Sequence, residues 1–323
     1  MAPRRPFTVD PILTAIAIGY KNPEASRIAD DVMPRVPVGA EKFKWTEYAT
    51  DEAFAVPDAR VGRLGRVQQL TFNGAEKTDE VEDYGLDVPI PYSDIEAAAE
   101  ARERKVSGYD PEGHSVEMLS ETIANIREVR VAQMVHNATN YAVGRKVTLS
   151  GTSQFSDYTN SDPIGALKTG MEATLIYPPN TLVMGRAVWS KMSSHPKIVN
   201  AVKGNLTNEG IVTRQQFVDL FSGEGITNLL IGDAYYNAAK PGQTASLQRA
   251  WGKHISMLHI NRMASTQGGI TFGMTAQYGS KIAGRIEDKD IGLQGGVRVR
   301  SGERLKEIIT AKDVGYFIQN AVA

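Results

Sequence analysis

The chain contains no cysteine in 323 residues. Disulfides, thiolate zinc sites and thiol catalysis are excluded together, so unusual stability has to come from packing or from contacts between copies. A long apolar run is also missing. The longest candidate, Ile12 to Ile18, is far short of the roughly 20 residues a membrane span needs, and a soluble chain is expected. The start, MAPRRPFTVDP, has two arginines but no apolar stretch followed by a small-residue cleavage site. It does not read as a secretion signal, and synthesis in the cytoplasm is expected. Neither charge sign dominates: 36 basic against 37 acidic side chains give a net charge of −1, unlike the basic excess of a dedicated nucleic-acid binder.

Catalytic patterns are missing as well. There is no Gly-x-Ser-x-Gly elbow, no phosphate-cradling GxxxxGK[ST], no GxGxxG after a strand and no HExxH. His254 and His259 lie five apart on an expected strand, a spacing that sends them to opposite faces, and His114, His136 and His195 stand alone. Asp157, Asn160 and Asp162 offer oxygen ligands without the glycine turn and terminal glutamate of a calcium loop. No catalytic, cofactor or metal residue is assigned, and the chain reads as a non-enzyme.

What is present is a succession of punctuated elements, in a length that suits one large domain or two interleaved ones. Asp10-Pro11 and Asn22-Pro23 each place a capping side chain before a proline and open two short helices, after which Pro34 and Pro37 force an extended path. KFKWTEY, Lys42 to Tyr48, alternates at period two as a half-buried strand, and Val67 to Phe72 offers the returning strand. Between them Asp51 to Arg66 is charged, glycine-bearing and poor in large apolar groups, an excursion that is marginal alone. Ser93 to Glu96 has the form of a capping box opening a helix over Ile95 to Lys105. A longer helix runs from about Ser115 to Asn137, with Leu119, Ile123, Ile126 and Val129 on one face and Glu121, Arg127, Glu128 and Arg130 on the other.

Next, Asp162-Pro163 opens a helix over Ile164 to Leu175, and Thr181 to Met184 suits a buried strand. Helices follow at Arg186 to Met192, at Lys197 to Lys203 closed by Gly204, and at Phe217 to Phe221 behind the capping-box pattern Thr213 to Gln216. Leu229 to Ile231 is another buried strand. Strand, helix, helix, strand implies an α/β module in which Trp189, His195 and Pro196 sit near or inside the core. His254 to Ile260, Ile270 to Ala276, Gly279 to Glu287 and Gly296 to Arg300 read as strands that pair back with the long helix, with Gly268-Gly269 as a hairpin turn. Val297 and Val299 alternate with Arg298 and Arg300, so both guanidinium groups share one strand face.

Two stretches carry a resemblance. Ser301 to Ala323, SGERLKEIITAKDVGYFIQNAVA, and Val183 to Asn208, VMGRAVWSKMSSHPKIVNAVKGNLTN, resemble signatures of tailed-bacteriophage major capsid proteins, whose Johnson fold is shared with encapsulins. The resemblance implies an α+β fold: an N-terminal arm (1–38), an extended E-loop hairpin (39–88), a peripheral domain with a long spine helix (89–140), an α/β axial domain (141–250), and peripheral strands with the C-terminus (251–323). It implies a shell subunit that self-assembles into hexamers and pentamers enclosing double-stranded DNA, located in the virion and assembled in the bacterial cytoplasm. Its partners would be copies of itself, a separate scaffolding protein, a portal protein and a decoration protein, with weak non-specific contact to packaged DNA and none to membrane. Arg60, Arg63, Arg66, Arg298, Arg300 and Arg304 are the intersubunit candidates. Some members join a lysine to an asparagine of another subunit, but neither Lys77 nor Asn320 aligns with that chemistry and no crosslink is expected. The alternatives are an encapsulin shell and, more remotely, a soluble α/β hydrolase or ligand-binding protein.

Overall fold

The computed structural model describes residues 8–9, 27–47, 56, 59–63, 65–67, 69, 75–105, 110–174, 176–204, 208–240 and 242–323. The helix expected near Ile12 to Ile18 and most of the strand expected at Val67 to Phe72 lie outside them.

In chain order, strand β1 (Thr8–Val9) precedes a one-turn helix α1 (Ala29–Val32), and β2 (Arg35–Val38) and β3 (Lys42–Glu47) follow. β3 pairs antiparallel with β4 (Ala75–Glu80), Lys42 opposite Glu80. The strand that returns along β3 is therefore the polar AEKTDE. β5 (Glu82–Pro91) leads into α2 (Tyr92–Glu103). The expected cap at Ser93 is not made: α2 starts at Tyr92, whose amide donates to the carbonyl of Gly295, just before β14, so a segment distant in sequence satisfies one amide of its first turn. α3 (Pro111–Val135) has its proline in the first turn and spans 25 residues, about 37 Å.

The second half begins with β6 (Lys146–Thr148), α4 (Pro163–Ala173) and the wholly buried β7 (Thr181–Gly185). Three short helices come next: α5 (Arg186–Met192), α6 (Pro196–Lys203) and α7 (Arg214–Phe221). α6 ends at Gly204 with φ of 68°, the left-handed cap that glycine adopts freely. α7 carries the expected box: Gln216 N donates to Thr213 Oγ1, and Thr213 N donates to the Gln216 side chain. β8 (Asn228–Gly232), the hairpin β9 (Tyr235–Asn237) and β10 (Leu247–Arg249), β11 (Ile255–Leu258), β12 (Gly273–Tyr278), β13 (Ile282–Asp288), the 14-residue β14 (Gly296–Ile309) and β15 (Gly315–Gln319) complete the chain.

These strands form two principal sheets. In the first, β14 is the axis: β5 lines one edge, and β13 and β12 lie end to end along the other, with β1 outside β13 and β2 parallel outside β12. The second has the order β6, β15, β11, β7, β8. β11 and β15 fall within the 251–323 stretch expected to supply the peripheral strands, yet they hydrogen-bond in the sheet of β7. Strand length explains the difference, since four- and five-residue apolar runs fit either sheet and only the pairing partner decides.

α3 touches both units. Its first half buries Val116 and Leu119 against Ile90, Ala283, Val297 and Val299 of the first sheet. Its last turns bury Val131, Ala132 and Val135 with Val183, Leu258 and Phe317 of the second. The other face of the second sheet packs on α4 to α7, with Phe217, Phe221, Met192 and Ile198 fully enclosed. Trp189 and His195 lie in this region as expected: Trp189 meets Phe217 edge-on at 5.5 Å, and the His195 ring caps α6 by accepting from Lys197 N.

Candidate assembly surfaces

The polar face expected on α3 is partly internal. Arg127 is 3% exposed and Glu128 only 1%, while Ile126 of the expected apolar face is 42% exposed. Both buried groups grip residues 28–33. Glu128 accepts from Ile28 N at 2.8 Å and Ala29 N at 2.9 Å, and its Oε1 also accepts from Trp251 Nε1. Burial pushes the Glu128 carboxyl up, and these donors oppose the rise. Arg127 reaches Asp30 at 2.6 Å, the Met33 carbonyl at 3.3 Å and Thr275 Oγ1 at 3.0 Å. Burial lowers the Arg127 guanidinium, though arginine remains charged in any protein setting. For Asp30, burial raises its carboxyl but Arg127 and Arg35 outweigh it and hold it below the usual carboxylate range. Arg35 also pairs with the buried Glu303 at 2.8 Å, and Arg130 with the buried Glu307 at 2.6 Å.

Ile28, Ala29, Val32 and Met33 are buried beneath these pairs, and β2 adds to the first sheet of its own chain. Residues 27–38 are therefore built into their own subunit, although the arm was expected to extend to Val38. Sequence reading missed this anchor. Arg127 lies four residues after Ile123 and four before Val131, so it shares their buried stripe, and that spacing was the available signal.

The hairpin of β3 and β4 is fixed at its base. Phe43 and Trp45 pack with Val36, Val81, Met274, Ala276 and Ile308, and Trp45 Nε1 donates to Asp79 at 3.1 Å. Beyond the base, Arg60, Arg63 and Arg66 are exposed, as are Val56, Val61 and Val67.

β14 separates its two faces sharply. Val297, Val299, Ser301, Glu303, Leu305 and Glu307 are buried toward α3. Arg298, Arg300, Arg304 and Lys306 form a row on the outer face. Each finds a carboxylate in its own chain: Arg298 with Asp288, Arg300 with Asp87 at 2.7 Å, Arg304 with Glu41 at 2.7 Å and Asp83 at 3.2 Å, Lys306 with Glu82. The structure thus brings Arg298, Arg300 and Arg304 together and places Arg60, Arg63 and Arg66 on a different element. Between the Arg300 and Arg304 pairs the outer face sinks into a cavity of about 620 Å³, floored by Gly85 and Gly302, which stand opposite each other in the ladder.

His195 and Asp157 take part in local hydrogen bonds. His195 Nε2 and Ser161 Oγ share a hydrogen bond at 3.0 Å. Asp157 accepts from Thr159 N, Asn160 N and Asn160 Nδ2, so its oxygens serve a turn. Among the described residues no group of three or more His, Cys, Asp or Glu side chains could hold a metal, and no helix is long and apolar enough to cross a membrane.

No family model matches the chain. It is 43% identical over 318 residues to the major capsid protein of Pseudomonas phage JBD67, covering 98% of each. It is 29% identical over 320 residues to the major capsid protein of Burkholderia phage BcepMu, covering 96% of this chain and 95% of the other. Among solved structures it is similar to a phage-related protein of Bordetella bronchiseptica, with TM-score 0.72, 20% identity and coverage of 98% and 99%. The capsid of cyanophage P-SCSP1u gives TM-score 0.59 at 10% identity, covering 94% and 91%. An encapsulin of Synechococcus elongatus gives 0.51 at 10%, covering 94% and 90%. At such identities these structures show a common fold and nothing finer.

Proposed function

The chain belongs to the phage major capsid proteins and has their Johnson fold, and from that premise we propose that hexamers and pentamers of it close an icosahedral shell around double-stranded DNA, by contacts between copies and without catalysis. The observation that carries this reading is the hairpin of β3 and β4. Its base is packed on its own sheet, while Arg60, Arg63, Arg66, Val61 and Val67 beyond the base are exposed, surface that a second copy can cover.

The second sheet with α4 to α7 fits the axial role around the symmetry axes, and the first sheet with the front of α3 fits the peripheral role at junctions between capsomers. There Arg298, Arg300 and Arg304 would share their carboxylates with, or exchange them for, those of a neighbour. The protein resides in the virion shell. Assembly in the bacterial cytoplasm with a separate scaffolding protein, a portal, a decoration protein and weak DNA contact completes the proposal. An encapsulin role has less support, because both curated relatives are phage capsid proteins and the encapsulin likeness concerns fold alone.

Deleting Ala53 to Gly65 tests the reading. The variant should stay soluble and melt as the parent does, yet give no closed particles by electron microscopy. Normal shells from the deletion would overturn it.

A further inference from the structure

One buried carboxylate holds two distant parts of the chain. Glu128 is 1% exposed, and among the described residues it has no ion-pair partner, since Arg127 beside it turns to Asp30 and Glu307. Its charge rests on three N–H donors, Ile28 N and Trp251 Nε1 on Oε1 and Ala29 N on Oε2. Two of them belong to α1 and its cap, a single turn that cannot hold its shape unaided. The third leads elsewhere. Trp251 is fully buried and seated on the end of β8, where a Cβ at Gly232 would overlap the indole ring. It directly follows the root of the β9–β10 hairpin, which is closed by Ala250 N donating to the Ala234 carbonyl at 2.9 Å. That hairpin is a sheet of its own with Tyr235 and Leu247 exposed, and a two-stranded ribbon is marginal without support at its root.

We propose that Glu128 makes the docking of residues 28–33 and the seating of the β9–β10 hairpin one cooperative event, so that displacing the arm root loosens a surface on the other half of the subunit. The inference concerns the unassembled subunit and goes beyond the shell reading. Its basis is electrostatic, because each donor favours the charged carboxylate that the other two need. If α1 lifts away, Glu128 keeps the indole alone. A buried carboxylate so poorly served takes up a proton or turns toward water, and either way the Trp251 N–H loses a charged acceptor. The reverse holds when Trp251 moves, since Ile28 N and Ala29 N then face a weaker acceptor. Such a coupling is reciprocal by necessity. Packing acts in the same direction: Ile28, Val32, Met33 and Trp251 belong to one buried cluster.

Hydrogen exchange in unassembled full-length subunits, read peptide by peptide, tests the coupling from both ends. Ala29→Pro removes one donor, and it also lifts the arm root, because Ile28 has ψ of 4°, an angle that the residue before a proline avoids. Exchange over Tyr235 to Asn237 and Leu247 to Ala250 should rise about tenfold, with α7 at the parental rate. Trp251→Phe keeps a ring and removes the indole N–H. Residues 28–33 should then exchange about tenfold faster, again with α7 unchanged. Should Trp251→Phe give no folded subunit, Glu128→Gln decides, and both ends should loosen together. Loosening confined to the altered end, or to one end alone in Glu128→Gln, overturns the proposal. A rise that α7 shares equally overturns it too, because that reports a general loss of stability.

Discussion

Replacing His136 with phenylalanine should flatten the loss of subunit stability in acid. His136 follows the last turn of α3, stacked edge-on to Trp251 at 5.3 Å and to His254 at 5.2 Å, with Phe317 at 5.9 Å. Nε2 is sealed from solvent and has no hydrogen-bond partner. Burial, with a contribution from His254, pushes the imidazole down from 6.5 to about 3. The fold therefore holds it neutral, while the unfolded chain takes up a proton below about pH 6.5. Because the unfolded state binds more protons over that window, stability falls as pH falls from about 6.5 to about 3. Each pH unit shifts stability by about 1.4 kcal/mol, so this one group costs about 2 kcal/mol by pH 5 and at most about 5 kcal/mol by pH 3. Urea unfolding of unassembled subunits, followed by tryptophan fluorescence from pH 7 to pH 4, measures the slope. His136→Phe keeps an aromatic ring in place and removes the titration, so its stability should change less with pH than the parent's by about that amount. Equal slopes in the two proteins would refute the argument.

Trp189→Ala should destabilise the α/β module by about 3 to 5 kcal/mol and lower soluble yield; parental melting would place the ring outside the core. Glu128→Gln leaves one buried amide facing a donor and should cost about 1 to 3 kcal/mol, with faster proteolysis before residue 35. Unchanged proteolysis would show that the grip on Ile28 and Ala29 does not hold the arm root. Arg298→Gln with Arg300→Gln removes exposed pairs that matter little singly. Subunit melting should therefore hardly move, while shells should dissociate at lower salt or temperature than the parent's. Equal particle stability across a salt series would remove these arginines from the interface.

The sequence was most legible where structure is local. The box at Thr213 and Gln216, the proline-led start of α6 and the alternation of Val297 and Val299 with Arg298 and Arg300 depend on neighbours a few residues away, and all are present. Where a distant partner decides, the pattern misled. Ser93 has the form of a cap, but the Gly295 carbonyl takes the amide that matters and the helix starts earlier. β4 has no apolar alternation to announce it, because its described side chains are mostly exposed and its order comes from the ladder to β3 and pairs such as Lys44 with Glu76. The burial of Arg127 and Glu128 depends on Asp30, Glu307 and the amides of residues 28 and 29, about a hundred or more residues away.

The interleaving of the two sheets also sets the pace of folding. Thr275 pairs with Arg35, Arg300 with Asp87 and Ile318 with Val147, so both sheets are closed by contacts between segments separated by most of the chain. Folding of such a topology is slow, since loop entropy is lost before the pairing rewards it. During the delay, β-edges and the apolar faces of both cores stand open to other chains. For a protein made in many copies at once, the traffic between correct closure and aggregation is then governed by the concentration of half-folded chains, and slowing synthesis raises the yield of assembly-competent subunits.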